Sequence, residues 1–188
     1  INMNKLLLIV DPQYDFINGT LPVDNAEQKM NALCEYIKNH NDYKTVVITA
    51  DWHPENHCSF VVNDGEWPKH CVAYTHGASV YEPIIQTLRE LNIEYKVLTK
   101  GVFPDREEYS IFSNDNSRKW LYTTIKDENI DQIDICGIAG DICVYKTLLD
   151  GILVYGEDKF NLLIDYCPSI DGGEKLKNFN IKKTYGTN

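Results

Sequence analysis

Polar residues of the kinds used in covalent catalysis stand just past separate apolar runs of this chain. Asp11 follows Lys5 to Val10, Asp51 and His53 follow Thr45 to Thr49, Lys100 follows Tyr95 to Leu98, and Cys143 follows Gln132 to Ile138. Cys143 lies in Gly137-Ile138-Ala139-Gly140-Asp141-Ile142-Cys143-Val144, where a helix is expected to open. A thiol at a helix N-terminus faces unsatisfied N–H groups and the positive end of the dipole, which favour the thiolate and hence a nucleophile. Among Ile142, Val144 and Leu148 the same side chain also reads as a small buried hydrophobe. Asp11, in Val10-Asp11-Pro12-Gln13, would serve as a general base that takes the thiol proton and later delivers it to a leaving amine; alone it reads as a turn former before proline. Lys100, in Thr99-Lys100-Gly101, would lie between carboxylate and sulfur and stabilise charge during acyl transfer, its alternative being a solvated lysine at a strand end. The coincidence of all three at strand ends, more than any one residue type, points to one shared site.

A second cluster is Ala50-Asp51-Trp52-His53-Pro54-Glu55-Asn56-His57, followed by Trp67-Pro68-Lys69-His70-Cys71. Asp51 and His53, two positions apart in an extended segment, point to the same side, and His70 would complete one face of a metal ion, with His57 as a further candidate ligand. Such a set suits one divalent ion, zinc first and iron or manganese as alternatives, and leaves positions open for water or substrate. Phe16 and Trp67 flank the proposed site and could sandwich a planar ring, with Tyr109 as an additional wall.

These residues need a scaffold that gathers strand ends. Glu27 to Lys38 places Met30, Leu33, Cys34 and Ile37 at helical spacing, and Glu82 to Leu91, Ser117 to Lys126 and Asp141 to Leu149 read as further helices. The strands between them, ending with Asn161 to Ile164, are apolar on both faces, as in a parallel sheet covered on two sides. The expected fold is a three-layer α/β/α, doubly wound, mostly parallel sheet, with residues 3–188 forming a single domain. Ligands of such sheets bind at the carboxyl ends of the strands, where the strand order reverses. Lys175 to Asn188 is too polar for an assignment.

Composition narrows the function. The 188 residues carry 18 Lys plus Arg against 28 Asp plus Glu, a net charge of −10 with no uninterrupted basic patch, which argues against nucleic acid and anionic membrane as partners. The apolar run near the start is too short to span a bilayer, and a cytoplasmic location is expected. The six cysteines include no C-x-x-C pair, which argues against a disulfide framework or a cysteine-rich zinc module.

The ordered set Asp11 with Phe16, Asp51-Trp52-His53-Pro54-Glu55-Asn56-His57, Trp67-Pro68-Lys69-His70-Cys71-Val72, Lys100-Gly101 and Gly137 to Val144 resembles the isochorismatase-like cysteine hydrolases, and within them the nicotinamidase branch. The resemblance runs from Leu6 to about Asp165. It implies Asp11, Lys100 and Cys143 as a catalytic triad, Asp51, His53 and His70 as metal ligands, and His57 as a ligand in some members only. It also implies a cis peptide at Ile138-Ala139, with the backbone N–H groups of Ala139 and Cys143 as an oxyanion hole. The activity implied is hydrolysis of a small amide, nicotinamide, to nicotinate and ammonia through a cysteine thioester, in NAD salvage. A related hydrolase or amidase for another small amide is the alternative, and a catalytically silent module keeping the fold is a second one. Many members are homo-oligomers. The chain departs from the pattern at Asp165-Tyr166-Cys167, where many relatives have Asp-Ala, and in the acidic insert Asp105-Arg106-Glu107-Glu108, both expected to reshape the pocket mouth or a subunit contact.

Overall fold

A computed structural model describes residues 2–186; Thr187 and Asn188, the end of the expected 3–188 domain, lie outside them. The first strand, β1 (Lys5–Val10), is followed by the short helix α1 (Tyr14–Ile17), by α2 (Ala26–Asn39) and by β2 (Thr45–Asp51). Next come α3 (Glu82–Glu90), β3 (Tyr95–Lys100), α4 (Asp115–Asp127) and β4 (Gln132–Gly137). The chain closes with α5 (Tyr145–Tyr155), β5 (Phe160–Leu163), α6 (Glu174–Asn178) and β6 (Lys183–Thr184).

The strands form one sheet in the order β3-β2-β1-β4-β5-β6, and every pairing is parallel, so the sheet is uniformly rather than mostly parallel among the described residues. The central strand explains itself: Leu6 to Val10 are all fully buried, as a strand must be when helices cover both faces. Helix α2 turns Met30, Leu33 and Ile37 into this core and packs against α3. Successive strands step outward from β1 in one direction and from β4 in the other. Strand order therefore reverses between β1 and β4, and the crevice outside their carboxyl ends receives Asp11 from one and the Ala139–Cys143 segment from the other.

Several expected boundaries shift: β2 runs on to Asp51, so this residue ends the strand rather than following it. Strand β3 continues to Lys100, two residues past its apolar part, because it pairs with β2 in a register that sets Asp51 beside Lys100. The helix expected from Asp141 begins instead as a π-helical turn over Gly140–Val144, with α5 starting only at Tyr145. The unassigned tail supplies β6, whose pairing comes from Leu162 and Leu163 rather than from its own composition. No helix among the described residues is long and apolar enough to cross a membrane.

Candidate active site and metal-binding cluster

The site starts from a buried lysine. Lys100 is fully buried, and its Nζ lies 2.7 Å from Asp51 Oδ1, 2.7 Å from Asp11 Oδ2 and 3.5 Å from Cys143 Sγ. Each of the three N–H groups of an ammonium thus faces an acceptor, which is how a lysine tolerates complete removal from water. The contact to Asp11 is a fully buried ion pair. A carboxylate oxygen of Asp11, one of Asp51 and the Cys143 sulfur lie within 4.8 Å of one another.

Each participant is held by a support that sequence spacing did not reveal. Asp11 sits at φ +47°, a conformation uncommon for a side-chain-bearing residue, and its N–H donates to Thr49 O at 3.0 Å. Thr49 Oγ1 donates to Asp11 Oδ1 at 2.7 Å, which leaves Oδ2 turned to the lysine and the thiol. Gln13 brackets Asp51: its Oε1 accepts the Asp51 N–H at 2.8 Å and its Nε2 donates to Asp51 O at 2.7 Å. Asp141 accepts the N–H groups of Ile170 and Asp171 at 3.0 and 3.1 Å, fixing a loop that walls the cavity. The peptide Ile138-Ala139 is cis. The N–H groups of Ile142 and Val144 both return to Ala139 O, while the Ala139 N–H has no protein acceptor among the described residues, leaving it free as an oxyanion donor.

The electrostatics divide the two carboxylates. Burial opposes ionisation of Asp51, yet Lys100 and the neighbouring histidines outweigh it and hold the carboxyl well below its ordinary range. At Asp11 burial wins over the same lysine and the pKa is raised, so Asp11 is the carboxylate suited to carrying a proton. Burial raises Cys143 well above an ordinary thiol despite the opposing ammonium. The sulfur lies on the π-turn rather than in a regular first helical turn, buried beside Asp11 and Lys100. Lys100 is itself raised, because Asp11 and Asp51 overcome the burial that would strip its proton. Were Asp11 the base for Cys143, turnover would be lost as pH falls through a midpoint above the ordinary 3.8 of an aspartate. A pH–rate profile whose limb sits at or below that value contradicts this.

Beside the triad, Asp51 Oδ2 lies 3.4 Å from His53 Nε2 and 3.8 Å from His70 Nε2. His53 Nδ1 donates to Gly101 O at 2.7 Å and His70 Nδ1 to Pro68 O at 2.8 Å, which keeps a proton on each Nδ1 and turns each Nε2 toward Asp51, as an N–H in the imidazolium and as a lone pair in the neutral ring that an ion would bind. His53 Nε2 is buried with no hydrogen-bond partner. Two imidazole lone pairs and a carboxylate oxygen converging at such distances, with backbone carbonyls behind them, fit a divalent ion. His57 stacks on His53 with ring centroids 3.9 Å apart, but its own nitrogens are taken by Ser59 Oγ at 2.7 Å and Arg106 O at 3.0 Å. Burial, then the charge of His53, pushes His57 down to about 4. Asp51, His53 and His70 form one convergent donor set, and His53, His57 and Glu107 form a second whose ligand atoms also lie within 4.8 Å of one another.

Both clusters open onto one cavity of about 360 Å³ lined by Phe16, Leu21, Val23, Asp51, Trp67, His70, Tyr109, Ala139, Ile142, Cys143 and Ile170. Trp67 Nε1 donates to Tyr109 Oη at 3.1 Å, so these two aromatic walls brace each other. Leu21, Val23, Ile142 and Ile170 were not legible as pocket residues, since a single apolar residue in a loop looks the same whether it faces a core or a ligand. A wider groove of about 1050 Å³ adjoins at Ile170 but holds none of the reactive groups.

Comparison with known proteins agrees with this geometry. Residues 5–153 match the Isochorismatase domain family. A nicotinamidase of Acinetobacter baylyi is 30% identical over 93% of this chain and 86% of its own. A pyrazinamidase of Pyrococcus horikoshii solved in complex with zinc superposes with TM-score 0.77 at 30% identity, covering 97% of this chain and 99% of that one. The yeast nicotinamidase bound to the inhibitor nicotinaldehyde gives TM-score 0.82 at 27% identity, covering 97% and 100%. With residues 5–153, most of its length, matched, this chain belongs to the isochorismatase family.

Proposed function

We propose that this protein is a nicotinamidase: a cysteine amidohydrolase that converts nicotinamide to nicotinate and ammonia and so returns the pyridine ring to nucleotide synthesis. The observation that carries the reading is Lys100, whose single ammonium joins Asp11 and Cys143 to Asp51, so that a nucleophile and a metal-ligand set share one small cavity. Asp51, His53 and His70 would hold the divalent ion, zinc first, and its chemistry there is that of a Lewis acid for the ring nitrogen.

The protein's own groups then account for the reaction. Asp11 takes the Cys143 proton as the sulfur attacks the amide carbon, and Lys100 screens the charge that moves between them. The N–H groups of Ala139 and Cys143 receive the carbonyl oxygen as it becomes an oxyanion. Asp11 passes its proton to the departing nitrogen, the C–N bond breaks, and ammonia leaves a Cys143 thioester. Water enters, Asp11 takes a proton from it as its oxygen bonds to the thioester carbon, the C–S bond breaks, the proton passes from Asp11 to the sulfur, and the product acid gives its remaining proton to solvent as nicotinate.

Phe16 and Trp67 supply flat apolar contact to the ring, and Tyr109 keeps Trp67 in place. Trp67→Ala should raise KM about 10-fold with a smaller change in kcat, because most of the lost contact is made equally by bound substrate and transition state. Steady-state ammonia release from nicotinamide, pyrazinamide and benzamide tests the substrate reading. Both aza-rings should turn over and benzamide, which lacks the ring nitrogen, should be slower by about 100-fold or more; equal rates for all three point to a general aromatic amidase instead.

A further inference from the structure

We infer that Glu108 is a positioning residue for the metal-ligand set, acting on His53 through the peptides on either side of Gly101. The inference rests on the proposed reading that Asp51, His53 and His70 hold an ion. Glu108 belongs to the acidic segment Asp105 to Glu108, yet it is only 1% exposed while the preceding residues of that segment are exposed. Its Oε1 accepts the Gly101 N–H at 2.7 Å and the Asn114 Nδ2–H at 3.1 Å. The Lys100-Gly101 peptide that it grips accepts, through Lys100 O, the N–H of Trp52 at 2.9 Å, one residue before His53. On the other side of Gly101, Gly101 O receives the His53 Nδ1–H that aims the ring.

Two routes therefore lead from one carboxylate oxygen to one imidazole, and the space between leaves no slack. Gly101 has φ +67°, and a Cβ there would stand 2.4 Å from His53 Cε1. Asn114 ties the arrangement to the start of α4: its Oδ1 accepts the Ser117 N–H at 3.0 Å, and Ser117 Oγ donates to Thr99 O at 2.7 Å. The end of β3 is thus clamped on both sides of Lys100. Glu108 Oε2 has no partner, and burying a carboxylate oxygen in that way costs stability. A residue retained for packing alone would be better served by a side chain without it; what Glu108 adds is an acceptor aimed at both the Gly101 N–H and the Asn114 Nδ2–H.

The test compares zinc affinity of metal-free wild type, Glu108→Met and Glu108→Gln by competition with a chromophoric chelator, alongside the Co²⁺ absorption spectrum. Met keeps the length and removes the oxygen, whereas Gln keeps an acceptor for Gly101. Glu108→Met should weaken zinc binding by about 10- to 100-fold and shift the Co²⁺ bands, and Glu108→Gln should stay within about 3-fold of wild type. A packing role would lower the unfolding midpoint without moving zinc affinity. Equal zinc affinity in wild type and folded Glu108→Met overturns the inference alone, while a wild type that binds no zinc overturns the metal reading and the inference with it. Should Glu108→Met not fold, amide hydrogen exchange in wild type decides: the Gly101 N–H should be strongly protected relative to that of Val102, and equal exchange rates overturn the inference.

Discussion

Cys143→Ala is expected to lose nicotinamide hydrolysis by about 10⁴-fold or more while keeping its fold and its metal. Cys143 is the cysteine that lines the cavity, and its sulfur is the group that Asp11 and Lys100 converge on. None of the convergent metal ligands depends on the sulfur, since Asp51 is held by Gln13 and Lys100, and the two histidines are held by backbone carbonyls. Lys100 keeps both carboxylates as acceptors in the variant, so the stability change should stay near 1 kcal/mol, the cost of a small cavity. Ammonia assays, metal content by mass spectrometry and thermal unfolding check the three parts separately. Turnover within tenfold of wild type in a metal-loaded variant would place the nucleophile elsewhere.

Lys100→Met should be damaging in a different way. Removing the ammonium leaves Asp11 and Asp51 facing each other in a buried site with nothing between them, and breaking a buried pair by deleting one partner costs about 3–5 kcal/mol. The two carboxyls relieve their repulsion by holding a proton, and Asp11, without a histidine beside it, is the one that takes it. Activity then fails because the base is already protonated. The pH dependence follows in sign: with the lysine gone, Asp11, already raised, is raised further above its unfolded value, so its contribution to stability is greatest at low pH and falls as pH rises from the unfolded value through the folded one. The deficit against wild type should therefore narrow as pH drops toward about 4, the unfolded carboxylate range. A divalent ion at Asp51 should recover part of the stability but none of the turnover. A deficit that stays constant from pH 7 to the acid range would mean that Lys100 acts through packing and not through its charge.

The catalytic types were legible in the sequence because strand ends are. Leu6 to Val10 are apolar on both faces, and Gln132 to Gly137 keeps Ile133, Ile135 and Cys136 around its two polar residues, which places Asp11 and Cys143 at the same edge of a parallel sheet. What was not legible is whatever depends on a partner far along the chain. Thr49 looks like any β-branched strand residue, and only the pairing of β1 with β2 brings its hydroxyl to Asp11. Gln13 reads as a loop glutamine until it closes on Asp51, 38 positions away. The π-turn over Gly140–Val144 depends on close approach as well: a Cβ at Gly140 would lie 2.2 Å from Ser169 Oγ, a contact that local propensity does not encode. The burial that raises the Cys143 thiol is likewise tertiary and has no local signature.

The central claim, that the reaction passes through a thioester on Cys143, is tested most directly by partitioning. Metal-loaded enzyme is given nicotinamide or methyl nicotinate in the presence of hydroxylamine, and nicotinate and nicotinohydroxamate are quantified. If both substrates acylate Cys143, water and hydroxylamine compete for the same intermediate, and the ratio of the two products is identical from amide and ester. A ratio that differs between the two substrates, or hydrolysis of nicotinamide with no hydroxamate formed, would contradict a shared acyl-enzyme and with it the role assigned to Cys143.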